Sequence, residues 1–192
     1  MFVENAHCPS NKVSTVIADN RINRAIELSL NSFGIDVIKI RGNPYLAAPV
    51  SAHPDMQLFY FGMGDLILAS QIYNDYYEIF KSKGFNIMKG DTLLKPEYPF
   101  NIAYNALLCG KYLFCNSPYT DPVILDGCKK RGISVVNIKQ GYAKCSVGVV
   151  NENALITSDA GIYKAAVNVN FDVLLIESGH IDLNGYNYGF MG

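Results

Sequence analysis

A unit of roughly 45–50 residues recurs along this chain, helix then strand then β-hairpin, and it limits the fold more than any other feature. Four helices are expected. The first follows Asp19 and places Ile22, Ile26, Leu30 and Phe33 on one face. The second follows Ser70, with Ile72, Tyr76, Ile79 and Phe80 at helical spacing. The third follows Asp121-Pro122, an N-cap and first-turn proline pair. The fourth follows Asp159, with Ile162, Ala166 and Val169 on one face. Gly34, Gly84 and Gly132 end the first three, because glycine enters the left-handed backbone region without steric cost. Asn168 or Asn170 ends the fourth.

Each helix leads into a short apolar strand: Ile35–Ile40, Phe85–Met88, Ile133–Ile138 and Phe171–Ile176. A loop and a hairpin come next. The hairpins are centred on Gly62-Met63-Gly64-Asp65, Cys109-Gly110-Lys111 and Asn151-Glu152-Asn153. Ser70, Asn116 and Asp159 close the second hairpin strands and are expected to cap the helices that follow, with Asp19 in the same role at the start. Val13–Ala18 therefore reads as the second half of a hairpin, and Tyr188-Gly189-Phe190-Met191-Gly192 as the start of another. A repeat that buries one face against its neighbour builds an open solenoid or a closed ring. The interrupted ends favour a ring spanning 1–192 as one α/β domain of ββαβ-type units. Two tandem α/β sandwiches are the alternative.

Composition narrows the function classes. Sixteen basic and 17 acidic residues give a net charge of −1, which provides no field to draw in nucleic acid or an anionic membrane. No apolar run reaches membrane-spanning length, and no leader is visible, so a cytoplasmic protein is expected. Five scattered cysteines, Cys8, Cys109, Cys115, Cys128 and Cys145, argue for free thiols, with Cys109 in a turn. His7, His53 and His180 share no metal-ligand spacing, so neither a zinc site nor a cofactor is expected. Glu177, His180 and Asp182 form a polar cluster in a loop.

Ala52-His53-Pro54-Asp55, Tyr142-Ala143-Lys144-Cys145-Ser146, Asn151–Asp159 and Tyr188–Gly192 together resemble a bacterial family of unknown function with the pentein fold. That fold is the five-bladed α/β propeller of the guanidino-group-modifying enzymes, amidinotransferases among them. The resemblance implies about four of five blades in this chain, with the open edge either left exposed or covered by a second copy or a partner chain. It also implies a small-molecule substrate. Enzymes of this class attack a guanidinium carbon with a cysteine thiolate, move protons with a histidine and hold the cation with carboxylates. Carried onto this sequence, Cys145, His53 and Asp55 become the catalytic candidates, and Asn101 and Lys144 the substrate-binding ones. Lys144 beside Cys145 is expected to favour the thiolate. The activity implied is a cysteine-dependent hydrolase or deiminase acting on a guanidine or amidine.

Each of these residues also has a plainer reading. Cys145 suits a small core position, and His53-Pro54-Asp55 suits a turn. In the resembled enzymes the nucleophile belongs to the last blade, and the acidic–glycine–glycine segment of that class is missing here. A non-catalytic binding protein is therefore the second expectation.

Overall fold

The computed structural model describes residues 2–5, 7–183 and 189. Its elements run β1 (Thr15–Asp19), α1 (Arg24–Ser32), β2 (Asp36–Ile40), β3 (Leu58–Gly62), β4 (Asp65–Leu68), α2 (Tyr73–Ser82) and β5 (Asn86–Lys89). They continue with β6 (Leu107–Cys109), β7 (Tyr112–Cys115), α3 (Pro122–Lys130), β8 (Ser134–Asn137), β9 (Val147–Asn151), β10 (Ala154–Thr157), α4 (Ala160–Val167) and β11 (Asp172–Leu175). Two 3-10 turns, Pro54–Met56 and Ser117–Tyr119, sit in the connections.

The strands make four small sheets, one of two strands and three of three. In each three-stranded sheet a hairpin supplies an antiparallel pair, and a helix then crosses over to a parallel third strand. The middle strands β4 and β7 are buried almost throughout, since both edges are paired and both faces covered. The first sheet holds only the parallel pair β1–β2. Among the described residues no strand pairs with the other edge of β1. Residues 184–188 and 190–192, where the sequence suggests the start of a hairpin, lie outside the described part.

Helix ends show where local rules held. Asp121 accepts from the Val123 N–H and Asp159 from the Ile162 N–H, so both cap as expected. Asp19 and Ser70 do not. Asn23 caps α1 through a bond to the Ala25 N–H, and α2 starts after Ile72 with no side-chain cap. Asn116 precedes a 3-10 turn rather than α3 and makes no capping bond. In all three cases a short extra turn separates the strand from its helix, which moves the cap downstream. Gly34, Gly84 and Gly132 take φ of 72°, 87° and 65°, and Asn170 takes 64° in the same place after α4. Cys109 is buried at the end of β6, not in the turn.

Two apolar clusters form the core. The larger joins Ile40, Met56, Leu66, Phe80 and Ile124; the smaller joins Leu107, Phe114, Leu155 and Ile162. The apolar face read for α1 is only partly covered: Ile26 is 55% and Phe33 66% exposed, Ile22 and Leu30 are half-buried, and no residue of that helix is fully buried. No helix among the described residues is long and apolar enough to cross a membrane.

Candidate functional site

His53 is held by the proline that follows it. A residue before proline is pushed into extended backbone, and His53 sits at φ −63°, ψ 123°. The 3-10 turn Pro54–Met56 then drives the fully buried Met56 side chain into the larger core cluster, which anchors Asp55 at a fixed distance from the core. On the far side of the molecule's sequence, Cys145 immediately precedes Ser146 and β9 and is only 2% exposed. Folding brings the donor atoms of His53, Asp55 and Cys145 within 4.8 Å of one another.

The thiol is engaged on two sides. Cys145 Sγ donates to Asp55 Oδ2 at 3.0 Å, and Asn105 Nδ2 donates to Sγ at 3.0 Å. Asn105 also accepts the Lys144 N–H at 2.9 Å and the Cys145 N–H at 3.4 Å through Oδ1. One buried amide thus positions both the backbone and the sulfur of Cys145. Burial pushes the thiol well above its ordinary pKa, and the Asp55 charge and hydrogen bond push the same way; Asn105 and Lys144 oppose them without prevailing. The help expected from Lys144 is therefore present in sign and outweighed in size, and at neutral pH Cys145 is a protonated donor.

A second carboxylate stands behind His53. Asp19 Oδ2 lies 3.9 Å from His53 Nε2. Arg21 fixes that carboxylate with bonds from Nε and from its terminal nitrogen, the latter at 2.6 Å. The same guanidinium binds the carbonyls of Ala48 and Pro49, at 2.9 Å each, in the loop leading to His53. Burial disfavours the Asp19 charge, but the hydrogen bonds and charge of Arg21 win and lower its pKa. The sequence offered Asp19 as a helix cap, and the cap had moved to Asn23, which frees Asp19 for this position.

Asn101 is buried and donates to the Tyr142 hydroxyl at 2.9 Å. It is not part of the three-residue cluster. Lys144 borders a cavity of about 560 Å³ that also reaches Asp55, Tyr60 and Phe59 and runs along Lys12 to Ile17, past the edge of β1. A larger cavity, about 790 Å³, opens between the hairpins and touches none of His53, Asp55 and Cys145. Glu177, His180 and Asp182 lie in irregular chain after β11, as the sequence suggested. Asn105 and Arg21 went unseen in the sequence: an asparagine before a strand reads as a turn residue, and nothing local marks its reach across to Cys145.

Residues 17–192 match the model of a family of unknown function, DUF6873. The chain belongs to that family. Comparison with curated protein sequences gives no match. Among solved structures, similarity extends to DDAH from Pseudomonas aeruginosa, a cysteine-to-serine mutant complexed with citrulline. That pair has a TM-score of 0.52 and 12% identity, covering 79% of this chain and 62% of the other. SxtG, an amidinotransferase from Microseira wollei in the saxitoxin biosynthetic pathway, gives a TM-score of 0.51 at 12% identity, covering 95% of this chain and 78% of that one. Both neighbours are pentein-fold enzymes, and the mixed α/β fold with small sheets is shared with them. The chain spans 62% of the length of DDAH. Identity this low speaks to fold and not to activity.

Proposed function

We propose that this protein is a cysteine-dependent hydrolase or deiminase acting on a guanidine or amidine. The observation that carries the reading is the meeting of Cys145, His53 and Asp55, residues 92 positions apart at the extremes, in one cluster. On the same reading, the four sheets are four blades of a five-bladed α/β propeller, 1–192 is one domain, and Lys144 and the 560 Å³ cavity accommodate the rest of the substrate. Asn101 serves the site at one remove, through Tyr142.

The proposal implies an order of events. A cationic guanidinium takes the place of the thiol as donor to Asp55, in the charge-assisted pairing such groups favour. Its positive charge then removes the main electrostatic obstacle to ionising Cys145. His53 takes the thiol proton, and sulfur forms a bond to the amidine carbon. The carbon–nitrogen bond to the leaving amine breaks as that nitrogen receives the proton from His53. Water, deprotonated by His53, displaces sulfur, which takes that proton back as the thiol, and leaves a ureido product from a guanidine or an amide from an amidine. Asp19, fixed by Arg21, stands 3.9 Å from His53 Nε2 and helps to position the ring.

Incubating the protein with a panel of guanidines and amidines, and following amine and ureido product, tests this. Turnover by the wild type should fall by at least about 10³-fold in Cys145→Ala. Undiminished turnover in that variant ends the proposal. The second reading, a non-catalytic binder, is favoured by one specific observation: the thiol is buried, protonated and hydrogen-bonded on two sides. Tight binding of a panel member with no turnover by the wild type would select it.

A further inference from the structure

Cys145, Asp55 and His53 together offer sulfur, oxygen and nitrogen to a single point, and we propose that they form a binding site for a zinc-class divalent cation that holds the nucleophile out of action. No spacing in the sequence announces it. Among the described residues they are the one group of three such side chains whose ligand atoms all lie within 4.8 Å of one another.

The donor chemistry selects the metal. Thiolate, imidazole and carboxylate are the three ligand types of protein zinc, whereas calcium and magnesium demand oxygen. Tetrahedral bonds of about 2.0–2.3 Å set ligand atoms roughly 3.5 Å apart. Sulfur and carboxylate already stand at 3.0 Å, and a ring nitrogen of His53 lies within 4.8 Å of both. Charge also balances. The cation takes the place of the thiol proton, which leaves to solvent; the Cys145–Asp55 hydrogen bond gives way to two bonds to the ion; and thiolate plus carboxylate cancel its two charges in a place where Cys145 is 2% exposed. A fourth position is left for water.

The surroundings are those a metal site has. Ligating histidines commonly have a carboxylate behind them, and Asp19, fixed by Arg21, stands 3.9 Å from His53 Nε2. Asn105 secures the sulfur from the opposite side. An ion here would occupy the nucleophile, the proton carrier and the cation-binding carboxylate at once. Binding itself does not depend on the catalytic reading, since the ion needs only the three side chains.

Titrating the full, reduced chain with Co²⁺ as the probe tests the site, with Zn²⁺ as competitor. The expected result is one ion per chain and a near-ultraviolet thiolate-to-cobalt charge-transfer band that Zn²⁺ abolishes. Cys145→Ser should lose the band, and His53→Ala should bind at least about ten-fold more weakly. Cys8→Ser, at a partly exposed thiol outside the cluster, should bind as the wild type does. A band that survives Cys145→Ser, or none in the wild type, overturns the proposal. Should Cys145→Ser fail to fold, the half-buried His53 decides, and unchanged affinity in His53→Ala overturns it equally.

Discussion

Asp55 has opposite effects on Cys145 before and after a cation arrives. In the resting molecule its charge and its hydrogen bond both hold the thiol up in pKa. Asp55→Asn removes the charge and should lower that pKa, so alkylation of Cys145 at a fixed mildly alkaline pH should run faster than in the wild type. Peptide mapping by mass spectrometry reads this directly, and slower labelling would contradict the account. In the wild type, Cys145 should label at least about ten-fold more slowly than Cys8, which is partly exposed. Asn105 belongs to the same scale. Asn105→Ala leaves the Lys144 and Cys145 N–H groups without their acceptor, a loss of about 2 kcal/mol in urea denaturation. The sequence displayed His53, Asp55 and Cys145 because they stand at strand entrances. It hid Asn105 and Arg21, because a long-range hydrogen bond leaves no trace in local pattern.

Among the secondary-structure elements, the caps on α1 and α3 make a useful contrast. Asn23 makes one bond, to the Ala25 N–H, on an exposed helix. Asn23→Ala should cost about 1 kcal/mol. Asp121 is fully buried and does more. It accepts from the Val123, Asp91 and Thr92 N–H groups and from the Tyr104 hydroxyl, tying the start of α3 to the chain after β5. Asp121→Ala should cost about 4 kcal/mol, since one buried and three part-buried donors lose their shared acceptor together. Thermal or urea unfolding of the two variants side by side checks both values, and equal losses would show that Asp121 acts as a simple cap. The strand and helix types were legible from periodicity and from the glycines. The start points of α1 and α2 were not, because a short turn after the strand costs little and no local signal fixes its length.

Across the whole molecule, the segment before β1 ties distant parts together. Val3 accepts from the Tyr60 hydroxyl and the Met63 N–H, and the Phe2 ring meets Phe85 edge-on. His7 borders both cavities. Burial, and after it the Lys144 charge, lowers its pKa from 6.5 to about 4. The unfolded chain therefore binds more protons than the folded one between those values. The contribution of His7 is complete above pH 6.5 and is lost as pH falls toward about 4. Urea midpoints measured between pH 6.5 and 5, above most carboxylate titrations, should fall in the wild type and stay flatter in His7→Gln. A slope identical in the two proteins would contradict the lowered pKa of His7.

Strand, helix and hairpin order, the helix-stopping glycines and the α/β class came from the sequence alone, because periodicity and backbone preference act over a few residues. Tertiary structure decided what those preferences could not reach. It decided that α1 keeps much of its apolar face exposed, that Asp19 backs His53 instead of capping a helix, and that a thiol, a carboxylate and an imidazole meet at one point. It also raised the pKa of Cys145, in keeping with the plainer reading of a small core cysteine, since burial and a neighbouring carboxylate outweigh the lysine next to it in the chain. Those outcomes depend on distances between residues far apart in sequence, set by the packing of the sheets.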